Sequence, residues 1–355
     1  MKKILIYAII ALLPFGLVLA LPSTPTMVST VPTKKNVVIE EFTGIYCTYC
    51  PDGHKIVNNI MALNQGRVFG INIHQGDFAA TTNPDYRTQW GDTLADFSGL
   101  TGYPAGMVNR HKFSGSYAVM RGSFQTFATQ LLNQSAYVNV AAKAEIDAST
   151  RTLTVDVELY YTGNSPQSAN MLNVALIQDS IMGPQVGCAT WYPEMVHDGE
   201  YQHNHMLRDF LTGQWGDSIQ TTVSGTFVAK RYIYSIPTAY RSIPVNLNKL
   251  QVVAYLAEGK AEIISAAEAT PIVTGTTAIS TINADNTNIY YANKNLVIQT
   301  DEQIKNVEVY TVAGQKVFTA STASTNIPLN LKTGVYVVKV QTDSGYFTKK
   351  VIAAK

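Results

Sequence analysis

Residues 37–50 read VVIEEFTGIYCTYC, an apolar run that leads directly into two cysteines, Cys47 and Cys50. The residues after Cys50 recur with helical spacing, so we predict that the pair lies where a strand ends and a helix begins. Unpaired N–H groups and the positive end of the macrodipole at a helix start favour a thiolate over a thiol. We therefore predict a redox motif in which Cys47 attacks and Cys50, one turn further in, resolves the mixed disulfide.

The chain around this motif, residues 36–135, alternates short strands with helices. A helical stripe at 54–63 is followed by a strand-like run at 68–73 and by a second helical pattern at 86–97. A final helix is expected at 124–132. The order β-α-β-α-β-β-α predicts an α/β domain.

Helical periodicity disappears in residues 136–265, where strand-like runs are separated by turn residues. This pattern is typical of an antiparallel β-sandwich of immunoglobulin-like type. Residues 266–289 are rich in Thr, Ala, Ser and Asn, and we interpret them as a linker. The alternating runs in residues 290–355 predict a small separate β-sandwich. The expected fold class is therefore a multidomain chain that combines an α/β part with all-β parts.

The N-terminus has the pattern of an export signal. Lys2 and Lys3 precede an apolar stretch, and Ala20 provides a plausible cleavage point, so we interpret residues 1–20 as a signal peptide. The alternative is a retained anchor, which Pro14 and Gly16 disfavour because they weaken a spanning helix. No later segment approaches about 18 uninterrupted apolar residues, so we do not expect the mature chain to span a membrane.

Charge and composition exclude several classes of function. Loss of Lys2 and Lys3 with the signal leaves 24 of the 26 basic side chains against 25 acidic ones, a net charge near −1. A nearly neutral chain without a basic patch is not expected to bind nucleic acid. Charged residues make up only 14% of the sequence, which favours an exported β-rich protein. No hydrolase motif or phosphate-binding glycine loop is found, so no cofactor is implied.

Three motifs resemble the outer membrane protein 28-related family of Bacteroidetes, whose N-terminal part is thioredoxin-like. They are FTGIYCTYCP at 42–51, GYPAG at 102–106 and YQHNHMLR at 201–208. The C-terminal part, with VAGQKV at 312–317 and LKTGVY at 331–336, resembles the sorting domain of the type IX secretion system. This resemblance implies contact between residues 290–355 and the secretion machinery. It also implies export through the periplasm to the outer-membrane surface or extracellular space.

The thioredoxin resemblance implies a role for four residues. Cys47 would be the nucleophile, Cys50 the resolving thiol, Pro104 the cis-proline beside the disulfide, and Glu41 the buried acid that handles the proton of the resolving thiol. The sequence departs from the thioredoxin pattern in three ways. Tyr46 replaces the usual Trp, the dipeptide between the cysteines is Thr-Tyr, and the acid is Glu. No metal is implied.

Several residues have alternative interpretations. The Cys47–Cys50 pair is either redox-active or a static disulfide that stiffens an exported domain. Zinc binding is less favoured because no second close pair of ligands accompanies it. For Cys188 we favour a buried free thiol over a third redox partner or an intermolecular link. His203 and His205 would share one face of a strand, where hydrogen bonding to backbone is favoured over metal binding.

Two functions remain. The first is a surface thiol-disulfide oxidoreductase that acts on the thiols of exported proteins. The second is a surface adhesin or ligand receptor in which the thioredoxin-like part is a scaffold and the Tyr- and Trp-rich stretch at 190–240 contacts a surface ligand.

Overall fold

The computed structural model describes residues 21–79, 84–275, 288–300, 303–312, 314–321, 324–342 and 346–353. They fall into two compact units, one that ends at Gly275 and one that contains the described residues from 288 onward. The predicted signal peptide, residues 1–20, lies outside the described residues.

The first unit contains all the α-helices of the described chain: α1 Cys50–Leu63, α2 Gly91–Ser98, α3 Phe124–Leu132 and α4 Cys188–Trp191. Short 3-10 helices are Arg121–Ser123, Pro193–Met195 and Leu247–Lys249. Its strands are β1 Val37–Thr43, β2 Val68–His74, β3 Ala105–Val108, β4 Ala118–Met120, β5 Val138–Asp147, β6 Thr152–Tyr161, β7 Asn170–Gln178, β8 Ile181–Gly183, β9 Val196–His197, β10 Glu200–His203, β11 Met206–Phe210, β12 Asp217–Ile219, β13 Phe227–Ser235, β14 Ala239–Tyr240, β15 Ile243–Pro244, β16 Leu250–Glu258, β17 Ala261–Ala269 and β18 Ile272–Thr274. The predicted order β-α-β-α-β-β-α is observed from β1 to α3.

One large sheet runs through the first unit in the order β17-β16-β7-β11-β2-β1-β3-β4, with β12 beside β7. β1 is parallel to β2 and antiparallel to β3. The sheet is continuous because β11 joins the free edge of β2 at Met206 and Asn72. The domain boundary that we predicted between residues 135 and 136 therefore falls inside one compact unit.

A second sheet, β13-β6-β5-β18, packs on one face of the large sheet. The core between them includes Val155 and Leu159 of β6 together with Val174 of β7 and Val252 of β16. Alternating side chains point into this core, as expected for strands with one buried face. β17 and β18 continue the two sheets to Thr274, so residues 266–274 of the segment that we predicted to be a linker belong to the first unit.

The strand β1 is buried along its whole length and separates two cores. Successive side chains of a strand point to opposite faces. Val38 and Phe42 therefore face the core around α2, whereas Val37 and Ile39 face the core formed with α1 and α3. Glu40 and Glu41 are consequently directed to opposite sides of the sheet, although they are neighbours in sequence.

The second unit is all-β. Its strands are β19 Asn288–Ala292, β20 Asn295–Gln299, β21 Ile304–Thr311, β22 Lys316–Ala320, β23 Asn326–Pro328, β24 Gly334–Thr342 and β25 Tyr346–Ala353. They form the sheets β19-β20-β23 and β22-β21-β24-β25 around one apolar core. Together the two units show the β-rich, multidomain class that the sequence predicts.

Candidate functional site

A disulfide joins Cys47 and Cys50, whose α-carbons are 5.4 Å apart. Cys50 is the first residue of α1, and Cys47 lies in the loop between β1 and this helix. Their exposed fractions are 3% and 0%, although Tyr46 and Tyr49 in the same loop are exposed. In the reduced protein the helix start would favour a thiolate here. In the oxidised protein both half-cystines are buried.

Glu41 is the ionisable group of β1 that faces α1, and it is fully buried. Both of its carboxyl oxygens lack a hydrogen-bond partner. A methyl group at Gly53 would overlap Glu41 Oε1 and lie 2.9 Å from Pro104 Cβ, so these three residues are packed together one turn after Cys50. Burial raises the pKa of Glu41 well above its ordinary value, a smaller effect of Arg121 lowers it, and the charge of Asp52 raises it. Burial therefore favours the protonated, uncharged form of this carboxyl group.

The Tyr103–Pro104 peptide bond is cis and leads into β3. In β3, Gly106 lies opposite Glu41 of β1. A Cβ at Gly106 would stand 2.6 Å from the carbonyl oxygen of Glu40, so only glycine allows the two strands to approach this closely. Tyr103 receives a hydrogen bond from Gln75 and has its ring 5.1 Å from that of Phe78. Tyr103 thus ties the loop before β3 to the segment that follows β2.

The neighbouring Glu40 is also fully buried, but it is paired. Arg110 Nε and Nη2 donate to its two carboxylate oxygens at 2.7 and 2.6 Å. Arg110 Nη2 also donates to Tyr255 Oη at 2.8 Å. Burial lowers the pKa of Arg110, but the charges of Glu40 and Tyr255 raise it by more. Glu40 is therefore held in a buried, paired network, whereas the carboxyl group of Glu41 has no hydrogen-bond partner.

Three buried histidines, His54 of α1, His74 of β2 and His203 of β10, form a cluster that we did not predict from the sequence. His54 Nδ1 lies 3.0 Å from Tyr201 Oη, and the His203 ring is 4.9 Å from the Tyr201 ring and 5.4 Å from the His74 ring. Burial, with a smaller effect of the neighbouring histidines His203 and His205, lowers the pKa of His54 to about 3. Burial also lowers the pKa of His203 to about 4. The imidazoles are therefore neutral at physiological pH.

The strand on which His203 and His205 would share a face is not formed, because β10 ends at His203. His205 has a φ of +52° between β10 and β11, which interrupts the strand alternation. His203 Nε2 donates to the Pro184 carbonyl, whereas His205 Nδ1 lies 3.4 Å from an oxygen of Asp179. Within the described residues no group of three or more His, Cys, Asp or Glu is arranged to hold a metal ion.

Cys188 is a free thiol at the start of α4 and is half-buried rather than fully buried as we expected. Its neighbours Ala189 and Thr190 are exposed, so the apolar residues around it in sequence do not enclose it. In the oxidised protein it is the one thiol among the three cysteines of the chain.

Comparison with known families identifies the chain. Residues 91–273, more than half of its 355 residues, match the family of outer membrane protein Omp28. This chain belongs to the Omp28 family. Residues 292–354 match the secretion system C-terminal sorting domain. The Omp28 member is thus exported to the outer-membrane surface or the extracellular space, and its sorting domain implies an interaction with the secretion machinery.

Solved structures show which fold this Omp28 member shares. HBP35 of Porphyromonas gingivalis matches with a TM-score of 0.55 at 20% identity, and the match covers 91% of this chain and 99% of that chain. A domain of the outer membrane lipoprotein Omp28 from Porphyromonas gingivalis has a TM-score of 0.27 at 16% identity, over 39% of this chain and 91% of that chain. The first match indicates a common fold.

Two further findings concern relatives and membrane spans. No curated protein matches the sequence significantly. Among the residues that the structure describes, no helix has the length and apolar character needed to cross a membrane.

Proposed function

We propose that this Omp28 family member exchanges disulfides with the thiols of other exported proteins through Cys47 and Cys50. The observation that carries the proposal is a disulfide at the start of α1 with a fully buried, unpaired carboxyl group, Glu41, packed against the next turn of the same helix. Ionisable groups with perturbed pKa values beside a reactive group are typical of functional sites. The cis Tyr103–Pro104 bond and the strand order β4-β3-β1-β2 also support a thioredoxin-like assignment.

The proposed exchange has two steps. A client thiolate attacks the Cys47 sulfur, a client–Cys47 disulfide forms, and the Cys47–Cys50 bond breaks with its electron pair on Cys50. Glu41, whose burial favours the protonated form, donates its proton to the Cys50 thiolate. A second client thiolate then attacks the client sulfur of the mixed disulfide and releases Cys47 as a thiolate. The client gains a disulfide, and the Cys47–Cys50 pair is reduced.

A second function is favoured by one observation, the burial of both half-cystines to 3% and 0% exposure. A buried disulfide is a poor target for attack, as expected if the bond only stiffens a surface adhesin or ligand receptor. The surface aromatic residues of the first unit would then contact the ligand.

The reduction potential of the Cys47–Cys50 pair distinguishes these functions. A working exchanger should have a potential between about −270 and −120 mV, whereas a structural disulfide should lie below about −300 mV. We would titrate residues 21–355 in glutathione and dithiothreitol buffers and quantify the pair by alkylation and mass spectrometry. A Cys188→Ala variant is the control, because it removes the third thiol from exchange. A potential below about −300 mV in both proteins would rule out the oxidoreductase.

A further inference from the structure

A segment from the distant half of the first unit lies on the loop that carries the disulfide. Residues 184–195, here called the cap segment, follow β8 and include α4. The Val186 N–H donates to the Ile45 carbonyl at 2.8 Å, which joins the backbone of the cap segment to that of the loop. This contact accompanies the burial of Cys47, whose neighbours on either side are exposed.

Gln185 holds the cap segment to the loop from inside. This residue is 94% buried, and its Nε2 lies 3.0 Å from the Cys47 carbonyl oxygen and 3.2 Å from that of Gly44. Because all its near neighbours are carbonyl oxygens, the amide nitrogen is the end that must face them. A single side chain of the cap segment thus fixes the backbone at the attacking cysteine itself.

The far end of the cap segment contacts the loop and α1 as well. The Trp191 ring lies edge-on to Tyr49 with centroids 5.3 Å apart. Asn58 of α1 donates to Tyr192 Oη at 3.2 Å. Lys55 of α1 forms an exposed ion pair with Glu194 at 3.1 Å. Exposed pairs of this kind contribute little, so the aromatic and amide contacts hold this end.

Gly187 lies close to the backbone of the disulfide loop. A Cβ at this position would overlap the carbonyl oxygen of Thr48, the residue that follows Cys47. The φ of Gly187 is +77°, a conformation that favours glycine. Gly199, in the turn between β9 and β10, has a similar φ of +85° but no atom near its Cβ position. The two glycines therefore differ in contact with the loop and not in backbone conformation.

We propose that residues 184–195 form a cap that has to lift before a nucleophile can reach the Cys47–Cys50 disulfide, and that Gln185 is the positioning residue that holds the cap closed. This extends the proposed function by adding control of access to the same pair of cysteines. It applies equally to a small chemical reductant. Attack on either sulfur breaks the S–S bond, forms a bond to the nucleophile and leaves the electron pair on the other cysteine.

The test compares Gly187→Ala with its matched control Gly199→Ala in oxidised residues 21–355. The first readout is the rate of reduction by tris(2-carboxyethyl)phosphine, which ends as the phosphine oxide and drives reduction to completion whatever the potential. The second is hydrogen exchange of the Val186 amide, which exchanges when the cap lifts. We expect Gly187→Ala to accelerate both about tenfold or more, because strain and a lost backbone hydrogen bond favour the open form. Gly199→Ala should change both less than threefold.

A second pair of variants keeps the test decisive if Gly187→Ala does not fold. Gln185→Met removes the amide donors, and Gln178→Met makes the same change at a buried glutamine that donates to the Pro244 carbonyl. Acceleration in Gln185→Met alone supports the cap. The proposed cap would be refuted if a test variant and its control were reduced at equal rates. It would also be refuted if amide exchange became faster and reduction did not. A reduction potential below about −300 mV together with these rate changes would refute the oxidoreductase function but still support the proposed cap.

Discussion

Replacing Glu41 by Gln should change how stability depends on pH. Glu41 is fully buried, its oxygens have no hydrogen-bond partner, and burial raises its pKa well above the ordinary value of 4.5. The unfolded chain loses this proton near pH 4.5, whereas the folded chain keeps it to higher pH. The folded state therefore binds this proton more tightly than the unfolded chain above pH 4.5, and the contribution of Glu41 to stability falls as pH rises.

The size of the effect follows from proton linkage. Each pH unit above 4.5 over which folded Glu41 stays protonated lowers the free energy of unfolding by about 1.4 kcal/mol. The amide in Glu41→Gln does not titrate, so the variant should gain stability relative to wild type by this amount per unit. Other titrating groups, including the buried histidines, are common to both proteins and cancel in the difference.

Urea denaturation at several pH values between 4.5 and 7.5 measures this difference. All three tryptophans, Trp90, Trp191 and Trp215, belong to the first unit, so fluorescence follows the unit that contains Glu41. Glu40→Gln is the matched control at the adjacent position, where loss of the Arg110 pair should destabilise at every pH in this range. A difference between wild type and Glu41→Gln that stays constant from pH 4.5 to 7.5 would refute a protonated Glu41.

Three further predictions concern other parts of the chain. The joint contribution of His54 and His203 to stability should fall as pH drops below 6.5, by about 4 kcal/mol at pH 5, because their pKa values are about 3 and about 4 in the folded state. In urea denaturation, the free energy of unfolding of the double variant His54→Gln/His203→Gln should fall less steeply with decreasing pH than that of the wild type. An unchanged dependence on pH would contradict this. Arg110→Met should cost about 3–5 kcal/mol because it leaves the Glu40 carboxylate buried without a partner, measured by the same denaturation; a cost below about 1 kcal/mol would show that the pair is dispensable. Deleting residues 290–355 should leave the protein in the periplasm of its native host, as fractionation would show, and surface display of the truncated chain would exclude a sorting role.

Local patterns predicted the elements that carry the disulfide. The apolar run at 37–42 and the helical spacing after Cys50 are properties of neighbouring residues, so β1 and the start of α1 could be placed from sequence alone. The position of Glu41 came from its spacing to Cys47 through a family resemblance. These are the parts of the site that lie within about fifteen residues of each other in the chain, where periodicity carries information.

The parts that were missed depend on contacts between distant residues. β2 pairs with β11 across more than 130 positions, and Gln185 reaches Cys47 across 138. No spacing rule links such segments, because their approach is decided by packing of the whole unit. His54 and His74 looked like ordinary helix and strand residues, and only the fold brings them to His203. The left-handed conformation of His205 could not be predicted from the sequence either, since histidine adopts it only occasionally.

The continuous sheet of the first unit determines what can be cut from this protein. In a fragment that ends at residue 135, β2 would be an edge strand. Its backbone groups would be unpaired where β11 now lies, and its residues are buried in the full chain. Exposed edges of this kind pair with other chains and aggregate. The nascent chain meets the same problem, because its cysteines emerge from the ribosome long before the strand that protects their sheet. A fragment that ends at residue 135 should therefore aggregate when it is expressed alone, and the sheet around the disulfide can be completed only after β11 has been synthesised.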